Sequence, residues 1–157
     1  MPGRILVLVA EDEELIRYVI AEALRDEGIE VMEAEHAEAA LDVLEQHAAR
    51  IHVLFTDIQM PGAIDGLTLA HHASKKWPQI ALLITSGRPR PDWCMFPEKS
   101  RFVAKPYLHS RVIRKRMVRW SRKLGQVVKL GSPFEKDEPD DGETATIRCG
   151  VQGESCS

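Results

Sequence analysis

Five charged or hydroxyl-bearing residues stand directly after short apolar runs of the sequence. Glu11 and Asp12 follow the first run, and Asp57 follows the third. Thr85 follows the fourth run, and Lys105 follows the fifth. In a doubly wound parallel sheet, ligands bind outside the carboxyl ends of the strands. These side chains are therefore candidates for one shared site.

The three carboxylates predict a cation site if the first and third strands are neighbours. Like charges that converge within a few ångströms repel strongly, so a cation is needed between them. Oxygen ligands without histidine or cysteine favour Mg²⁺ over zinc, and such an ion keeps room for a phosphate. Asp57 can then attack phosphorus as a carboxylate nucleophile. Mg²⁺ and Lys105 would neutralise the equatorial oxygens, and Thr85 would donate a hydrogen bond to the phosphoryl group.

Hydrophobic periodicity predicts the elements that would position these residues. Continuous apolar runs are typical of strands buried on both faces, whereas residues 29–33 alternate and indicate a strand nearer a sheet edge. Helical spacing predicts helices that stop before Gly28 and Pro78 and a last helix over residues 110–124. The predicted strands are 5–10, 29–33, 51–55, 80–84 and 102–104. Alternation of strands and helices predicts an α/β fold with a doubly wound, five-stranded parallel sheet.

Charge is segregated along the 157 residues, whose net charge of −3 conceals it. Residues 1–60 carry a net charge of −10, residues 61–124 carry +11, and residues 125–157 carry −4. Beyond residue 125 the composition changes, and an acidic stretch with proline and glycine cannot pack. We therefore expect one domain over residues 1–124 and an acidic, flexible tail over residues 125–157.

Composition also excludes several classes of protein. A hydrophobic content of 44% excludes wholesale disorder. The three cysteines form neither a disulfide framework nor a CxxC pair, so we expect a reducing, cytoplasmic location. No apolar run approaches the roughly 18 residues that span a bilayer. We therefore expect no membrane segment.

The ordered motifs of the chain resemble a response-regulator receiver domain of the CheY-like, stand-alone type. The resemblance extends from about Arg4 to Lys123. The motifs that carry it are Val7-Leu8-Val9-Ala10-Glu11-Asp12, Thr56-Asp57-Ile58-Gln59-Met60-Pro61 with Asp65-Gly66, Thr85-Ser86-Gly87, and Phe102-Val103-Ala104-Lys105-Pro106-Tyr107. The resemblance implies a flavodoxin-like (βα)5 fold with strand order 2-1-3-4-5.

The same resemblance assigns roles at the acidic cluster. It implies that Asp57 is the phosphoacceptor. It implies that Mg²⁺ is bound by Asp12, Asp57 and the backbone carbonyl of Gln59, with Glu11 acting close by or through water. These residues form the expected metal and phosphoryl site.

The resemblance further implies a switch on the fourth and fifth strands. Lys105 would pair with the phosphoryl group, Thr85 would be drawn toward it, and Phe102 would turn into the space that Thr85 vacates. Phosphorylation adds roughly one negative charge and three acceptor oxygens, which would bias the two strands between two packings.

Three features depart from the common pattern or allow a second interpretation. The loop from Met60 to Gly66 is one residue longer than the commonest receiver loop. Prolines between residues 88 and 100 predict a short or irregular fourth helix, which disfavours dimers formed through it; we expect a monomer or a weak dimer. The basic last helix could suggest nucleic acid, but a lone helix without a helix-turn-helix partner favours a solvated or protein-binding face.

The leading hypothesis is therefore a phosphorelay protein that accepts a phosphoryl group from a histidine kinase or phosphotransfer protein and contacts a downstream protein. It would catalyse its own phosphorylation and dephosphorylation without being a stand-alone enzyme. The alternatives are a phosphate sink, a phosphorylation-independent receiver adaptor, and an aspartate-nucleophile phosphatase. A transcription regulator is disfavoured because the 33 residues after Leu124 contain no helix-turn-helix pattern.

Overall fold

The computed structural model describes residues 4–87, 96–97 and 100–104. In this part of the chain, strands and helices alternate up to the fourth strand. In chain order the elements are β1 (Leu6–Ala10), α1 (Glu14–Asp26), β2 (Glu30–Ala34), α2 (Ala37–His47), β3 (Val53–Asp57), α3 (Gly66–Lys76), β4 (Ala81–Ser86) and β5 (Ser100–Ala104).

The five strands form one sheet in the order β2-β1-β3-β4-β5, and every neighbouring pair is parallel. The prediction of a doubly wound sheet with order 2-1-3-4-5 is confirmed. All residues of β1 and β3 are buried, as expected for interior strands. The alternating strand β2 is an edge strand, and Ala34 is its only buried residue.

Apolar residues on the two faces of the sheet form two hydrophobic clusters. One face packs on α2 and α3 through strand residues such as Leu8, Leu54 and Leu82. The residues that directly follow Leu8 and Leu54, namely Val9 and Phe55, point to the other face and pack on α1. Side chains alternate between the two faces because a strand is pleated. Both faces of the sheet therefore carry apolar residues that pack on helices.

Element boundaries differ slightly from the predicted ones. Strand β3 begins at Val53 and includes Asp57, because its ladder with β4 continues to the pair of Asp57 and Thr85. The predicted end of α1 is confirmed: the helix ends at Asp26, and Gly28 adopts a positive φ of 78°.

Several predictions fall on residues that lie outside the described ranges. They are the irregular fourth helix between residues 88 and 100, of which only residues 96, 97 and 100 are described, and Lys105, the last helix over residues 110–124 and the tail over residues 125–157. Within the described ranges, no helix has the length and apolar character needed to cross a bilayer.

Candidate functional site

Asp57 ends strand β3 at the carboxyl edge of the sheet. The residue is buried, and Thr85 of β4 is its partner in the strand register. The Thr56 hydroxyl donates a hydrogen bond to the Asp57 carbonyl (3.0 Å), and the Ile58 N–H donates to the Thr85 carbonyl (2.9 Å). The backbone on both sides of Asp57 is therefore held by the sheet.

Glu11 and Asp12 follow β1, which is the neighbour of β3. Glu11 is fully buried, and its N–H donates to the Ala34 carbonyl at the end of β2 (3.1 Å). The Glu13 N–H donates to the Glu11 carboxylate (3.2 Å) and so orients that side chain. Asp12 reaches solvent. Strand β1 thus presents one buried and one accessible carboxylate beside Asp57.

The three carboxylates converge as expected from adjacent strands. One oxygen from each of Glu11, Asp12 and Asp57 lies within 4.8 Å of the other two. Two unit charges 4 Å apart repel by about 4 kcal/mol at an effective dielectric constant of 20, so a cation between the carboxylates would stabilise the cluster. Its ligands are hard oxygens, and no histidine or cysteine of the described residues joins them. This donor set fits Mg²⁺ better than Zn²⁺.

Thr85 carries a hydroxyl that lacks a hydrogen-bond partner. The residue is fully buried, and its Oγ1 has no partner among the described residues. Buried hydroxyls are nearly always hydrogen-bonded, because an unmade bond costs about 1–3 kcal/mol. This hydroxyl stands across the ladder from Asp57, so it is available to an acceptor group that arrives there.

Gln59 lies two residues beyond Asp57 in the loop between β3 and α3. The residue is exposed, whereas Met60 after it is buried in the core. Before it, the Ile58 carbonyl accepts a hydrogen bond from the Gly66 N–H (2.9 Å). The backbone is therefore held by hydrogen bonds just before Gln59, and the side chain just after it is anchored in the core.

Gly66 begins α3 in direct contact with the end of β3. A Cβ at this position would lie 1.6 Å from the Asp57 carbonyl oxygen and 2.8 Å from Thr56 Oγ1. No side chain fits there, so glycine is required by the close approach of the two backbones. The helix that follows is capped by Asp65, whose carboxylate accepts from the Thr68 N–H (2.7 Å).

The long loop before Gly66 is held by an acid that the sequence analysis did not single out. Oε1 of Glu38 in α2 accepts hydrogen bonds from the N–H groups of Ala63 (2.6 Å) and Ile64 (3.3 Å). Hydrogen bonds from its own N–H and from Ala63 hold the pKa of the Glu38 carboxyl below its usual value. In sequence, an acid in the first turn of a helix indicates only a favourable dipole interaction. The contact across 25 residues is therefore visible only in the structure.

Phe102 is buried, and it pairs with Ile84 in the register of β5 with β4. Its ring packs edge to face on Phe96, with centroids 5.7 Å apart and an interplanar angle of 74°. Phe96 was not predicted to matter, because its segment is rich in proline. Lys105 lies outside the described residues, so its position relative to Asp57 remains an expectation from sequence.

Comparison with known proteins agrees with this arrangement. A family model described as a response regulator receiver domain matches residues 7–116. The transcriptional regulatory protein PdtaR of Mycobacterium tuberculosis is 33% identical over 110 residues, which cover 68% of this chain and 52% of that protein. The chain thus spans about half the length of that relative and less of the other curated relatives.

Solved structures show the same fold. A response regulator receiver domain protein from Clostridium thermocellum superimposes with a TM-score of 0.70 at 24% identity, over 80% of this chain and 98% of that one. The response regulator TrrA from Thermotoga maritima, solved in complex with Mg²⁺-BeF, superimposes with a TM-score of 0.60 at 28% identity. That match covers 76% of this chain and 98% of that one.

Proposed function

The chain belongs to the response regulator receiver domain family, and from this premise we propose that it is a phosphoacceptor in a two-component phosphorelay. Asp57 accepts a phosphoryl group with the help of Mg²⁺. The donor is a histidine kinase or a histidine phosphotransfer protein. The phosphorylated domain changes its contacts with a downstream protein.

The observation that carries the proposal is the Thr85 hydroxyl, which has no hydrogen-bond partner among the described residues and belongs to the register partner of Asp57. The three carboxylates by themselves fit a cation-binding protein of any kind. A buried donor that bonds to no acceptor of the described residues, on the residue paired in register with Asp57, fits a site that receives a group rich in acceptor oxygens. A phosphoryl group has three such oxygens.

Phosphoryl transfer uses the Asp57 carboxylate as the nucleophile. Its oxygen forms a bond to phosphorus while the P–N bond to the donor histidine breaks, and the leaving imidazole keeps the electron pair. Glu11, Asp12, Asp57 and the Gln59 carbonyl would hold Mg²⁺. Bound Mg²⁺ supplies positive charge that offsets the charge on the carboxylates and the phosphoryl oxygens. We assign to Lys105 an ion pair with the same oxygens.

The switch follows from the new acceptor oxygens. The Thr85 hydroxyl donates to the phosphoryl group and moves toward it, and Phe102 adjusts against β4. Phe102 is buried on Phe96 in this structure, so a rotation of the Phe102 ring would have to repack this aromatic pair. Shifting the ratio of the two packings from 1:99 to 99:1 needs a differential stabilisation of about 5.5 kcal/mol. A few charge-assisted hydrogen bonds of about 1.5–3 kcal/mol each can supply it.

Two exposed apolar side chains suggest where a protein partner binds. Leu15 and Tyr18 in the first turns of α1 are 70% and 58% exposed. Helix α1 begins two residues after Asp12, so this patch adjoins the site that a phosphodonor must reach. Residues three apart lie on the same face of a helix, and contiguous exposed apolar surface is typical of protein contacts. We assign this patch to the donor protein.

We further propose residues 1–124 as the receiver domain, followed by an acidic segment over residues 125–157. The cysteine usage supports a cytoplasmic location. The prolines of the fourth-helix region support a monomer or a weak dimer. A phosphate sink would share the same chemistry without a downstream target. An aspartate-nucleophile phosphatase is disfavoured because such enzymes place a second aspartate where this chain has Gln59.

The chain is expected to become phosphorylated when it is incubated with acetyl phosphate and Mg²⁺. Intact-protein mass spectrometry would show the mass of one added phosphoryl group, and chelation of the metal would suppress it. Beryllofluoride with Mg²⁺ would shift amide resonances near Thr85. No response of the unaltered chain to either reagent would refute the phosphoacceptor and favour a phosphorylation-independent adaptor. Continuous turnover of a phosphate ester would favour the phosphatase.

Replacing Thr85 by valine is expected to leave the stability of the fold intact while it weakens the response to beryllofluoride. Because the lost hydroxyl has no hydrogen-bond partner in the described part of the chain, the free energy of unfolding should stay unchanged or rise by up to about 1 kcal/mol. The beryllofluoride-induced changes along β4 and β5 should be strongly reduced. Urea denaturation and amide spectra measure the two effects.

Thr56→Val is the matched control, because the Thr56 hydroxyl does donate a hydrogen bond. It should lose about 1 kcal/mol of stability. Equal destabilisation by the two substitutions would show that the Thr85 hydroxyl is not an unpartnered donor.

A further inference from the structure

Arg17 in α1 reaches back to the segment that carries the first two carboxylates. Its Nη1 donates a hydrogen bond to the backbone carbonyl of Glu11 (2.8 Å). Its Nε lies 3.6 Å from Glu33 Oε2 on β2, and only 15% of the arginine side chain is exposed. One guanidinium therefore joins α1, the β1–α1 segment and β2.

The bonded carbonyl has a special position, because it belongs to the peptide between Glu11 and Asp12. A peptide unit is planar and includes the Cα atoms of both flanking residues. Holding this carbonyl fixes the plane, and with it the starting direction of both carboxylate side chains. The two residues supply two of the three converging carboxylates.

The start of α1 does not depend on this guanidinium. The Arg17 N–H already donates to the Glu13 carbonyl (2.9 Å), and the Glu13 N–H donates to the Glu11 carboxylate (3.2 Å). The side-chain bond from Arg17 to the Glu11 carbonyl is thus additional to the bonds that begin the helix.

We propose that Arg17 is a positioning residue for the divalent cation site, acting through the Glu11–Asp12 peptide. The inference rests on the proposed Mg²⁺ site. Glu33 on β2 anchors the guanidinium from the other side. Partners that orient metal ligands typically contribute 10–100-fold to metal affinity. We expect about tenfold, because Arg17 acts through the backbone and not on a ligand atom.

An electrostatic role and a positioning role of Arg17 predict opposite changes in cation affinity when the arginine is replaced. Loss of a positive charge close to three carboxylates should strengthen cation binding. Loss of the hydrogen bond to the Glu11 carbonyl should weaken it. A measured decrease in affinity therefore identifies positioning as the dominant effect.

The test is a titration of the full chain with Mn²⁺, which shares the octahedral oxygen preference of Mg²⁺, with free ion measured by electron paramagnetic resonance. Arg17→Met should raise the Kd about tenfold. Arg17→Met/Glu33→Gln, which leaves the local net charge unchanged, should raise it similarly. Arg17→Lys should recover part of the affinity, because an ammonium retains a donor.

Arg25→Met is the matched control, because Arg25 also pairs with Glu33 (2.9 Å), but its other side-chain hydrogen bond goes to Glu22 and not to Glu11. Its Kd should equal that of the unaltered chain. Circular dichroism and thermal unfolding show which variants fold. If Arg17→Met does not fold, the Kd of Arg17→Lys is compared with that of Arg25→Met instead.

The outcomes distinguish this inference from the proposed function. An unchanged or lower Kd in folded Arg17 variants, with normal binding by the unaltered chain, overturns the role of Arg17 alone. A loss in Arg25→Met as large as that in Arg17→Met also overturns it, because the effect would then belong to Glu33. Absence of Mn²⁺ and Mg²⁺ binding in the unaltered chain overturns the cation site itself.

Discussion

Replacing Asp57 by asparagine is expected to abolish phosphorylation by acetyl phosphate. An amide oxygen is a poor nucleophile toward phosphorus, and the neighbouring Glu11 is fully buried and already bonded to the Glu13 N–H. The incorporated phosphoryl group, measured by intact mass, should fall to the background of the reagent. The beryllofluoride response should disappear with it.

The same substitution is expected to stabilise the fold in the absence of divalent cations. It removes one of three carboxylates that lie within 4.8 Å of one another. Contact of Asp12 with solvent screens part of the repulsion, so we expect a gain of about 2 kcal/mol in the free energy of unfolding. Urea denaturation in chelator measures this gain. Mg²⁺ should stabilise the unaltered chain more than the variant, because only the former offers all three carboxylates.

Asp65→Asn provides the control for both measurements. Asp65 lies in the same loop region but caps α3, and asparagine is an equally good N-cap. This variant should be phosphorylated at the normal rate. Retained phosphorylation in Asp57→Asn, or its loss in Asp65→Asn, would contradict Asp57 as the acceptor.

Replacing Gly66 by alanine is expected to cause the largest loss of stability, about 3 kcal/mol or more. The new Cβ would lie 1.6 Å from the Asp57 carbonyl oxygen, which belongs to the backbone of a buried strand. That oxygen cannot rotate away, so the start of α3 must move from the end of β3. Urea denaturation measures the loss, and phosphorylation of the folded fraction should fall because the displacement occurs at Asp57.

Gly87→Ala is the control for the added methyl group. A Cβ at Gly87 meets no atom of the described residues within 4 Å, so the stability of this variant should change by less than about 0.5 kcal/mol. A loss below about 1 kcal/mol in Gly66→Ala would show that α3 can move away from β3 at little cost.

Much of the fold was predictable because it depends on the order of residues within each segment. The continuous apolar run before Glu11 predicts an interior strand, and β1 is interior with all its residues buried. The alternation in residues 29–33 predicts an edge strand, and β2 lies at the edge. The end of β3 was placed too early, because the ladder to Thr85 is a property of two strands together.

The site was predictable only in part, for a related reason. Glu11, Asp12 and Asp57 could be placed at one sheet edge because each follows a strand, and the structure brings them together. Glu38 and Arg17 could not be found in this way. Their contacts join a helix to a loop or to a peptide of another segment, and nothing in their local sequence distinguishes them from ordinary surface charges.

The amino-acid sequence by itself therefore determined the class of fold, the edge at which the chemistry lies and the oxygen ligands that favour Mg²⁺. These follow from hydrophobic periods and from residue types, which need no knowledge of distant contacts. Only the tertiary structure decided which polar groups find hydrogen-bond partners and where two backbones leave no room for a side chain. Within the residues that the structure describes, the Thr85 hydroxyl has no hydrogen-bond partner and Gly66 admits no side chain, because of how β3, β4 and α3 approach one another in space.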